Sequence, residues 1–286
     1  MQKYENADMS KYSSFKCGGK AKVLYIPETI DELTNLLKKL KNEEHFIIGN
    51  GTNILVRDKG YNGSIIKIGD NFNTVEVKNN TIEVEAGTLL STIAKKALDN
   101  ELTGFEFASG IPGSFGGAVY MNAGAYGGEM KDVITNVTVL TKEGNLKTYK
   151  NKDLKFDYRY SIIKETNEIV LKGTIKLQKG SKEEIKTIMA ELNQKRREKQ
   201  PINYPSAGST FKRPEGYFAG KLIEDAGLKG KMIGGAKVSK LHAGFVINKN
   251  NATATDVEKL INLIQDEVYK QFKVQLTPEV IIIGDK

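Results

Sequence analysis

A segment of the chain, residues 104–129, constrains the fold more than any other part of the sequence. Eight glycines fall in its first 25 residues, yet it is neither a repeat nor a polar linker. The glycines alternate with large apolar residues such as Phe105, Ile111 and Tyr120, so the segment is expected to pack. A flexible linker carries Ser, Gln or Lys between its glycines instead of apolar residues. Two interpretations stay open: tight turns joining buried strands, or backbone amides moulded against a large planar or phosphorylated ligand.

Composition limits the class of protein. The 286 residues suffice for two domains, and 39% hydrophobic residues is typical of a globular protein. The longest apolar runs, such as 280–283, are far shorter than the roughly 20 residues of a membrane span. The N-terminus lacks the apolar core of a secretory signal, which predicts a cytoplasmic location. The single cysteine, Cys17, excludes an intramolecular disulfide. Because the chain has only two histidines besides, no metal site is expected. Cys17 is assigned no role.

The net charge of +8 has three interpretations. Clustered cations would indicate nucleic-acid binding, scattered lysines a solvated basic surface, and a third possibility is a polyanionic substrate. The 43 Lys+Arg are dispersed along predicted helices and hairpins, which favours the second interpretation. Charge alone does not choose among the three.

Hydrophobic periodicity predicts alternating strands and helices as far as residue 180. A βαβ unit is expected from a strand at 23–26, a helix at 29–41 and a strand at 46–48. Apolar alternation around Asn79-Asn80 predicts a hairpin. The other predictions are strands at 64–68, 134–140, 146–149 and 168–178, and a helix at 88–99.

The pattern changes at Ser181, where Ser181-x-x-Glu184 predicts a capped helix running to about residue 199 and a domain boundary. Beyond it we expect helices over 215–226 and, opening with Thr255-x-x-Glu258, over 255–272. Short strands are predicted at 236–239, 244–248 and 279–283. Their mixed order with the helices predicts an α+β domain.

Two common nucleotide motifs do not fit. No G-x-G-x-x-G opens a helix after a strand, so a Rossmann site is unsupported. The run from Gly216 to Leu222 has one spacer too few for a P-loop, and Leu222 stands where a Ser or Thr is needed.

Seven segments, read in order, resemble those of the UDP-N-acetylenolpyruvoylglucosamine reductases, the MurB family of peptidoglycan synthesis. They are CGGKA (17–21), GNGTNILVRD (49–58), SGIPGSFGGAVYMNAGAYGGE (109–129), FDYRYS (156–161), PSAGSTFKRPEGYFAGKLIEDAGLKG (205–230), GGAKVSKLHAGFVIN (234–248) and PEVIIIG (278–284). Their order and spacing cover nearly the whole chain, which makes the set far more specific than any one motif. The short distance from Arg159 to the strand near Glu168 leaves no room for a substrate-covering loop with a tyrosine, so the chain resembles the shorter, second type.

The resemblance implies an α+β fold. Two α/β subdomains would form a FAD-binding fold of the vanillyl-alcohol-oxidase type (PCMH-type), and a C-terminal α+β domain would bind substrate. The implied subdomains span 1–70 and 71–180, with the FAD-binding region starting near residue 17, and the substrate domain spans 181–286.

The resemblance also implies the chemistry: NADPH would reduce noncovalently bound FAD, which would reduce UDP-N-acetylglucosamine enolpyruvate to UDP-N-acetylmuramate. The implied partners are small molecules, with no nucleic acid, membrane or obligate protein partner.

Three residues match the family's catalytic positions. Arg159 would hold the substrate carboxylate and offset its developing charge. Ser209 would donate a proton to C2 of the enolpyruvyl group, and Glu279 would orient or polarise the intermediate. Without the resemblance, Arg159 would be interpreted as a surface cation, Ser209 as a turn residue and Glu279 as a charge at a strand edge.

The resemblance assigns two further sets. The implied FAD contacts are Gly49, Asn50, Gly51, Thr52, Asn53, Gly110, Ile111, Gly113, Ser114, Gly117, Ala118 and Asn122. The implied substrate contacts are Tyr126, Arg196, Lys199, Arg213 and His242, of which the cations suit a diphosphate. Packing or a solvated helix end is an equal alternative for several of them. No G-x-S-x-G surrounds Ser209, so a hydrolase pair with His242 is unsupported.

Two rival functions stay open at this point. Another FAD oxidoreductase of the same fold would share segments 49–129 but lack the three catalytic residues. A basic nucleotide-binding or nucleic-acid-binding protein would have no redox chemistry and no flavin colour.

Overall fold

The computed structural model describes residues 1–286, which include eight α-helices. The helices are α1 (Ile30–Lys39), α2 (Leu90–Asp99), α3 (Phe115–Met121), α4 (Met130–Val133), α5 (Ile163–Thr166), α6 (Lys182–Lys199), α7 (Ala219–Asp225) and α8 (Ala254–Phe272). Single turns of 3-10 helix lie at Met9–Lys11, Asp70–Phe72, Glu106–Ala108 and Asn151–Leu154. No helix has the length and apolar character needed to cross a membrane.

The strands pair into six sheets. They are β1 (Gln2–Asp8), β2 (Lys20–Ile26), β3 (His45–Ile48), β4 (Ile54–Val56), β5 (Tyr61–Lys67), β6 (Val75–Lys78), β7 (Thr81–Glu85), β8 (Leu102–Thr103), β9 (Gly124–Ala125), β10 (Gly128–Glu129), β11 (Ile134–Leu140), β12 (Leu146–Lys150), β13 (Ile169–Lys176), β14 (Gln178–Lys179), β15 (Met232–Ile233), β16 (Ala236–Val238), β17 (Val246–Asn248) and β18 (Ile281–Ile283). The mixed helix and strand content confirms the predicted α+β class.

The chain divides into two compact units, both discontinuous in sequence. Unit 1 contains Met1–Lys3, Tyr25–Asn50 and Ile65–Arg196, and unit 2 contains Tyr4–Leu24, Gly51–Ser64 and Arg197–Lys286. The predicted boundaries at 70 and 180 instead divide the chain into consecutive segments.

An antiparallel five-stranded sheet in the order β12-β11-β13-β7-β6 is the framework of unit 1. The predicted hairpin is confirmed, since Val75 lies opposite Val84 and Val77 opposite Ile82. The alternation buries Ile82 and Val84. Each such buried side chain contributes about 1.5–3 kcal/mol relative to an exposed one.

Helix α3 lies inside the glycine-rich segment, where no helix was predicted. Phe115 at its start is fully buried against Gly173 of β13, where an added Cβ would come within 2.8 Å of the Phe115 ring. A Cβ on Gly116 would come within 3.0 Å of the Ala86 Cβ. Part of the glycine content therefore lets α3 approach the sheet closely, which a residue with a side chain would prevent.

The predicted βαβ unit is modified. The strands β2 and β3 and the helix α1 between them are all present. In the four-stranded sheet, however, the order is β1-β2-β5-β3, so β5 lies between the two predicted strands.

Helix α8 packs on the sheet β15-β16-β17 in unit 2. Its core-facing residues Val257, Leu260 and Ile264 are fully buried. A parallel pair, β4 and β18, sets Ile54 opposite Ile281 and brings the C-terminal segment beside the start of the 51–64 segment.

Two residues that follow β4 fix the start of α8. The Arg57 guanidinium donates to both carboxylate oxygens of Glu258, with Nε and Nη2 each at 3.0 Å. The Asp58 carboxylate accepts hydrogen bonds from the amides of Ala254 and Thr255 at 2.9 and 2.7 Å. A carboxylate at a helix N-terminus satisfies amides that have no partner within the helix.

The predicted start of α7 was wrong. The helix was expected from 215 but begins at Ala219. The amide of Tyr217 bonds to the carbonyl of Pro214, and Gly216 has a φ of +73°, so these residues form a turn instead.

The predicted cap of α8 was also wrong. The capping box is formed by Thr253 and Asp256, with each side chain accepting from the other's amide at 3.0 Å. Thr255 was expected in that place, but its amide is already bonded to Asp58.

Candidate active site

The first predicted flavin loop starts at the end of β3 and contacts the second predicted loop within unit 1. Asn50 Nδ2 donates to the carbonyl oxygen of Pro112 at 2.7 Å. A Cβ on Gly49 would collide with the Ser114 hydroxyl. Gly49, Asn50 and Ser114, predicted as contacts of one ligand from two distant segments, are therefore close together.

In unit 2, the same loop continues with Gly51. Its φ is +64°, and an added Cβ would overlap the carbonyl oxygen of Tyr12, so only glycine fits. Asn53 Nδ2 donates to the backbone carbonyl of Glu279 at 3.0 Å. Asn53 therefore links the loop to the segment that carries the predicted catalytic carboxylate.

Two buried hydroxyls of unit 1, Ser114 Oγ and Thr88 Oγ1, lack a hydrogen-bond partner. The two residues lie side by side, because the amide of Phe115 donates to the Thr88 carbonyl at 2.8 Å. An unpaired buried polar group costs about 1–3 kcal/mol, which a polar ligand offsets by bonding to it. The orphaned hydroxyl of Ser114 fits a phosphorylated, polar-edged cofactor such as FAD.

Thr88 was missed by the sequence analysis. It stands at the start of the helix predicted over 88–99 and belongs to no quoted motif, and its 1% exposure is visible only in the folded chain. Of the other predicted contacts in this region, Gly117 is exposed, Ala118 is buried in α3, and Ile111 and Gly113 are half-buried.

Helix α6 packs against the start of the second loop. A Cβ on Gly110 would come within 2.7 Å of Asn193 Oδ1 and 3.0 Å of Arg196 Cδ, so a predicted cofactor contact adjoins a predicted substrate contact. Burial lowers the pKa of the Arg196 guanidinium, which nevertheless stays protonated at neutral pH. Lys199, at the end of the helix, is exposed, as is Tyr126 with a φ of +53°.

Asn122 is fully buried, and the structure gives its side chain a role within the protein. Its Nδ2 donates to Glu129 Oε2 and to the Asp157 carbonyl, both at 3.0 Å, and its Oδ1 accepts from the Lys131 amide at 3.0 Å. Both amide protons are therefore used. The side chain therefore has no N–H left to donate to a flavin, while its role as a cofactor contact stays a prediction.

Arg159 lies in a tight turn closed by reciprocal backbone hydrogen bonds between Asp157 and Tyr160, at 3.1 and 3.0 Å. Its φ of +54° is unusual for a residue with a long side chain. The guanidinium contacts the Gly124 carbonyl at 3.4 Å and lies 5.2 Å from the centre of the Tyr158 ring. Arg159 is therefore held beside the 120–125 part of the glycine-rich segment.

Ser209 and Glu279 lie on paired segments of unit 2. The amide of Glu279 donates to the carbonyl of Thr210 at 2.8 Å, and a β-bridge joins Phe211 to Pro278. Thr210 is fully buried, and its hydroxyl accepts from the Val246 amide at 2.9 Å. The structure therefore brings two of the three predicted catalytic residues together, with Ser209 exposed and Glu279 half-buried.

His242 is held in one tautomer. Its Nδ1 accepts a hydrogen bond from the Gly244 amide at 3.0 Å, and its ring packs edge-on against Phe245 at 5.0 Å. Burial lowers its pKa, so the ring is neutral at pH 7 with its proton on Nε2. It can offer an N–H donor to a phosphate, but not a positive charge. The predicted cation Arg213 lies over the Phe218 ring at 4.0 Å.

A basic cavity of about 380 Å³ lies in unit 2 and was not singled out from the sequence. It is lined by Arg197, Gln200, Pro201, Asn203, Tyr204, Lys237, Ser239, Lys240, Leu241, Ile247 and Lys249. None of the five predicted substrate contacts lines it. In the sequence, only the lysines of the GGAKVSKLH segment indicated a basic site here.

Metal and thiol chemistry find no support in the side chains. No group of three or more His, Cys, Asp or Glu could hold a metal ion. Cys17 is buried, and desolvation followed by the nearby Asp58 raises its pKa to about 12. A thiol in that state is a poor nucleophile.

Comparison with models of known protein families defines the class of this protein. Residues 21–150 match the model of an FAD-binding domain, and residues 200–283 match that of the "UDP-N-acetylenolpyruvoylglucosamine reductase, C-terminal domain". The chain is thus an FAD-binding protein with a second, family-specific domain.

The relatives narrow this to one family. The chain is 56% identical to the UDP-N-acetylenolpyruvoylglucosamine reductase of Caldanaerobacter subterraneus subsp. tengcongensis, over 99% of this chain and 94% of the relative. It is 49% identical to that of Clostridioides difficile, over 97% and 92%. The crystal structure of the Thermus caldophilus reductase superposes with a TM-score of 0.85 at 35% identity, covering 98% of both chains. The chain belongs to the UDP-N-acetylenolpyruvoylglucosamine reductase family, which confirms the resemblance.

Proposed function

We propose that this chain reduces UDP-N-acetylglucosamine enolpyruvate to UDP-N-acetylmuramate with NADPH and FAD, a step of peptidoglycan precursor synthesis. The observation that carries the proposal is family membership over nearly the full length, at 56% identity to a named reductase. The three residues proposed for catalysis all stand in family-like motifs of this sequence.

Bound FAD would supply the hydride chemistry, accepting a hydride from NADPH and passing it to the enolpyruvyl group. We assign FAD binding to the two loops that share the Asn50–Pro112 hydrogen bond. The unpaired Ser114 hydroxyl supports this assignment, and Thr88 is added to it on the same ground. The predicted contacts Gly49, Asn50, Gly51, Thr52, Asn53, Gly110, Ile111, Gly113, Ser114, Gly117 and Ala118 are retained as proposals.

Three residues are proposed for the reaction on the substrate. The permanently charged guanidinium of Arg159 would bind the carboxylate and offset the charge that spreads into it. The Ser209 hydroxyl would protonate C2. A serine hydroxyl is a weak acid, but the enolate-like intermediate would be a base strong enough to take its proton. Glu279 would orient this intermediate from its place beside the Ser209 segment.

The diphosphate is assigned to the cations Arg196, Lys199 and Arg213, with the neutral His242 as a hydrogen-bond donor. Tyr126 is proposed to border the substrate. Two observations support these assignments: Tyr126 and Lys199 are exposed, and Arg196 keeps its charge while half-buried.

Three further assignments remain proposals. The family-like division into FAD-binding subdomains over 1–70 and 71–180 and a substrate domain over 181–286 is one of them. A cytoplasmic location is another, supported by the single cysteine and the NADPH co-substrate. A requirement for small molecules alone, without a protein partner, is the third.

Purified protein tests the proposal directly. We expect flavin absorption bands, and NADPH oxidation that depends on the enolpyruvyl nucleotide and yields a product heavier by two hydrogens. NADPH oxidation that ignores this nucleotide and consumes oxygen would indicate a different flavoenzyme. Protein without flavin that binds nucleotides would indicate a binding protein without redox chemistry.

A further inference from the structure

The turn that carries Arg159 is held at three points against the last residues of α3 and those that follow it. The Ser161 hydroxyl donates to the Tyr120 carbonyl at 2.9 Å, and Asn122 Nδ2 donates to the Asp157 carbonyl at 3.0 Å. The third point is the Arg159 guanidinium itself, on the Gly124 carbonyl. Two of the three contacts therefore hold the turn independently of the arginine side chain.

Asn122 and Ser161 are both fully buried, and Asn122 makes the larger number of hydrogen bonds. It lies at the C-terminal end of α3 with a φ of +45°, a conformation that asparagine adopts more readily than most residues. Its other two hydrogen bonds, to Glu129 and Lys131, fix the orientation of its amide. The donor that reaches Asp157 is consequently held in a single position.

The turn needs such support because Arg159 has a φ of +54°. Non-glycine residues keep this conformation only where the surrounding structure enforces it. A fourth contact comes from Lys164, whose Nζ donates to the Arg159 carbonyl at 2.8 Å and lies 5.2 Å from the centre of the Tyr120 ring.

We propose that Asn122 is a positioning residue for Arg159: its buried amide, assisted by Ser161, fixes the Asp157–Tyr160 turn on the end of α3 and thereby sets where the guanidinium meets the substrate carboxylate. The inference rests on the proposed function, because it assumes that Arg159 binds this carboxylate. It replaces the flavin contact expected of Asn122 with a role in the substrate half-reaction. Misplacement of a charged group by about 1 Å can cost a reaction about 100-fold.

The test uses Asn122→Gly, which removes the amide but keeps a residue suited to positive φ. The matched control is Asn79→Gly, at another asparagine of positive φ (+57°) in the β6–β7 hairpin turn. In holoenzyme, stopped-flow flavin absorbance gives the rates of reduction by NADPH and of reoxidation by the enolpyruvyl nucleotide. We expect Asn122→Gly to slow reoxidation about 10- to 100-fold. Reduction by NADPH and the Kd for FAD should stay within about threefold, and Asn79→Gly should change neither rate.

A double-mutant cycle decides whether Asn122 acts through Arg159. On an Arg159→Ala background, Asn122→Gly should change the Kd of the enolpyruvyl nucleotide and the reoxidation rate less than about twofold. An equal loss on both backgrounds, or no loss on the wild-type background, overturns the proposal. A loss confined to FAD affinity also overturns it and restores the flavin contact.

Two outcomes keep the inference separate from the proposed function. If Arg159→Ala alone leaves reoxidation and substrate affinity unchanged, the role proposed for Arg159 fails before Asn122 is tested. If Asn122→Gly does not fold, Ser161→Ala takes its place, since it removes the other anchor of the turn. Ser161→Ala should likewise slow reoxidation without slowing reduction by NADPH, and this effect should vanish on the Arg159→Ala background. An additive loss of reoxidation rate on that background contradicts the proposal.

Discussion

The amide of Glu279 donates a 2.8 Å hydrogen bond to the carbonyl oxygen of Thr210, the residue that follows Ser209. This bond ties together two segments separated by nearly seventy positions in the sequence. Because Thr210 is fully buried and also bonded to Gly244 and Val246, the backbone beneath Ser209 has little freedom. An exposed hydroxyl on a fixed backbone suits a proton donor, which must be placed accurately at one substrate carbon.

Ser209→Ala is expected to separate the two half-reactions. Flavin reduction by NADPH should be nearly unchanged, since it requires no proton at substrate C2. Reoxidation by the enolpyruvyl nucleotide should fall by about 10²–10⁴-fold, the usual contribution of a general acid. Substrate affinity should change little, because the hydroxyl acts only in the transition state. Stopped-flow absorbance resolves both steps, and wild-type reoxidation in the variant would exclude Ser209 as the acid.

Gly49→Ala is expected to disturb the junction of the two flavin loops. The added methyl group collides with the Ser114 hydroxyl but would lie 3.7 Å from the Ser114 Cβ. We expect a loss of about 1–3 kcal/mol in the free energy of unfolding, typical of overpacking, and weaker FAD binding. Gly49→Ala/Ser114→Ala should recover the stability. Gly117→Ala, whose methyl group would have only Ser114 Oγ nearby at 3.7 Å, is the control for the stability measurement alone, because Gly117 is itself a proposed FAD contact. Urea unfolding and FAD titration measure both effects, and a double variant as unstable as Gly49→Ala would contradict this account.

FAD is expected to bind noncovalently. Cys17 and the two histidines are the only side chains that could form the usual covalent links, and burial raises the pKa of Cys17 to about 12. Acid precipitation should release all the flavin into the supernatant, as measured by its absorbance. Yellow colour retained on the precipitated polypeptide would refute the prediction.

The Cys17 thiol is expected to make stability depend on alkaline pH. Its pKa is about 12 in the folded chain against an ordinary 9.0, so the folded state holds the proton more tightly. The resulting contribution is complete below pH 9 and is lost as the pH rises from 9 towards 12. The stability difference between wild type and Cys17→Ala should therefore shrink between about pH 7.5 and about pH 10. Urea unfolding at both values measures it, and a constant difference would show that the thiol does not contribute.

Asp58→Asn is expected to weaken the start of α8. Burial opposes ionisation of Asp58, but hydrogen bonds from Thr255 and Ala254 outweigh it and hold its pKa below the usual value. The variant should lose about 1 kcal/mol at neutral pH, as for a lost helix cap. A depressed pKa gives stability that is present above pH 3.8 and lost as the pH falls through the folded value, so the difference should vanish in acid. Asp266→Asn, at an exposed position of the same helix, should have no such effect.

Local patterns were sufficient for much of the secondary structure. The β6–β7 hairpin and helices α1 and α2 follow from the periodicity of a few neighbouring residues, and α6 follows from its capping box at Ser181; the rest of the fold does not override these local signals. The prediction for the start of α8 failed because a distant residue decided the outcome. Thr255 looked like a cap in sequence, but Asp58, almost two hundred residues away, takes its amide, and Thr253 caps the helix instead.

The sequence by itself determined the family, the cofactor class and the residues to examine, because seven ordered motifs identify them without reference to geometry. Only the tertiary structure decided what several of those residues do. Gly116 accommodates Ala86, Asn122 uses its donors within the protein, and Thr88 has a buried hydroxyl without a partner. Hydrogen bonding and burial depend on atoms that meet only when the chain folds, so a residue type in a motif indicates a capacity, and its neighbours in space determine the use.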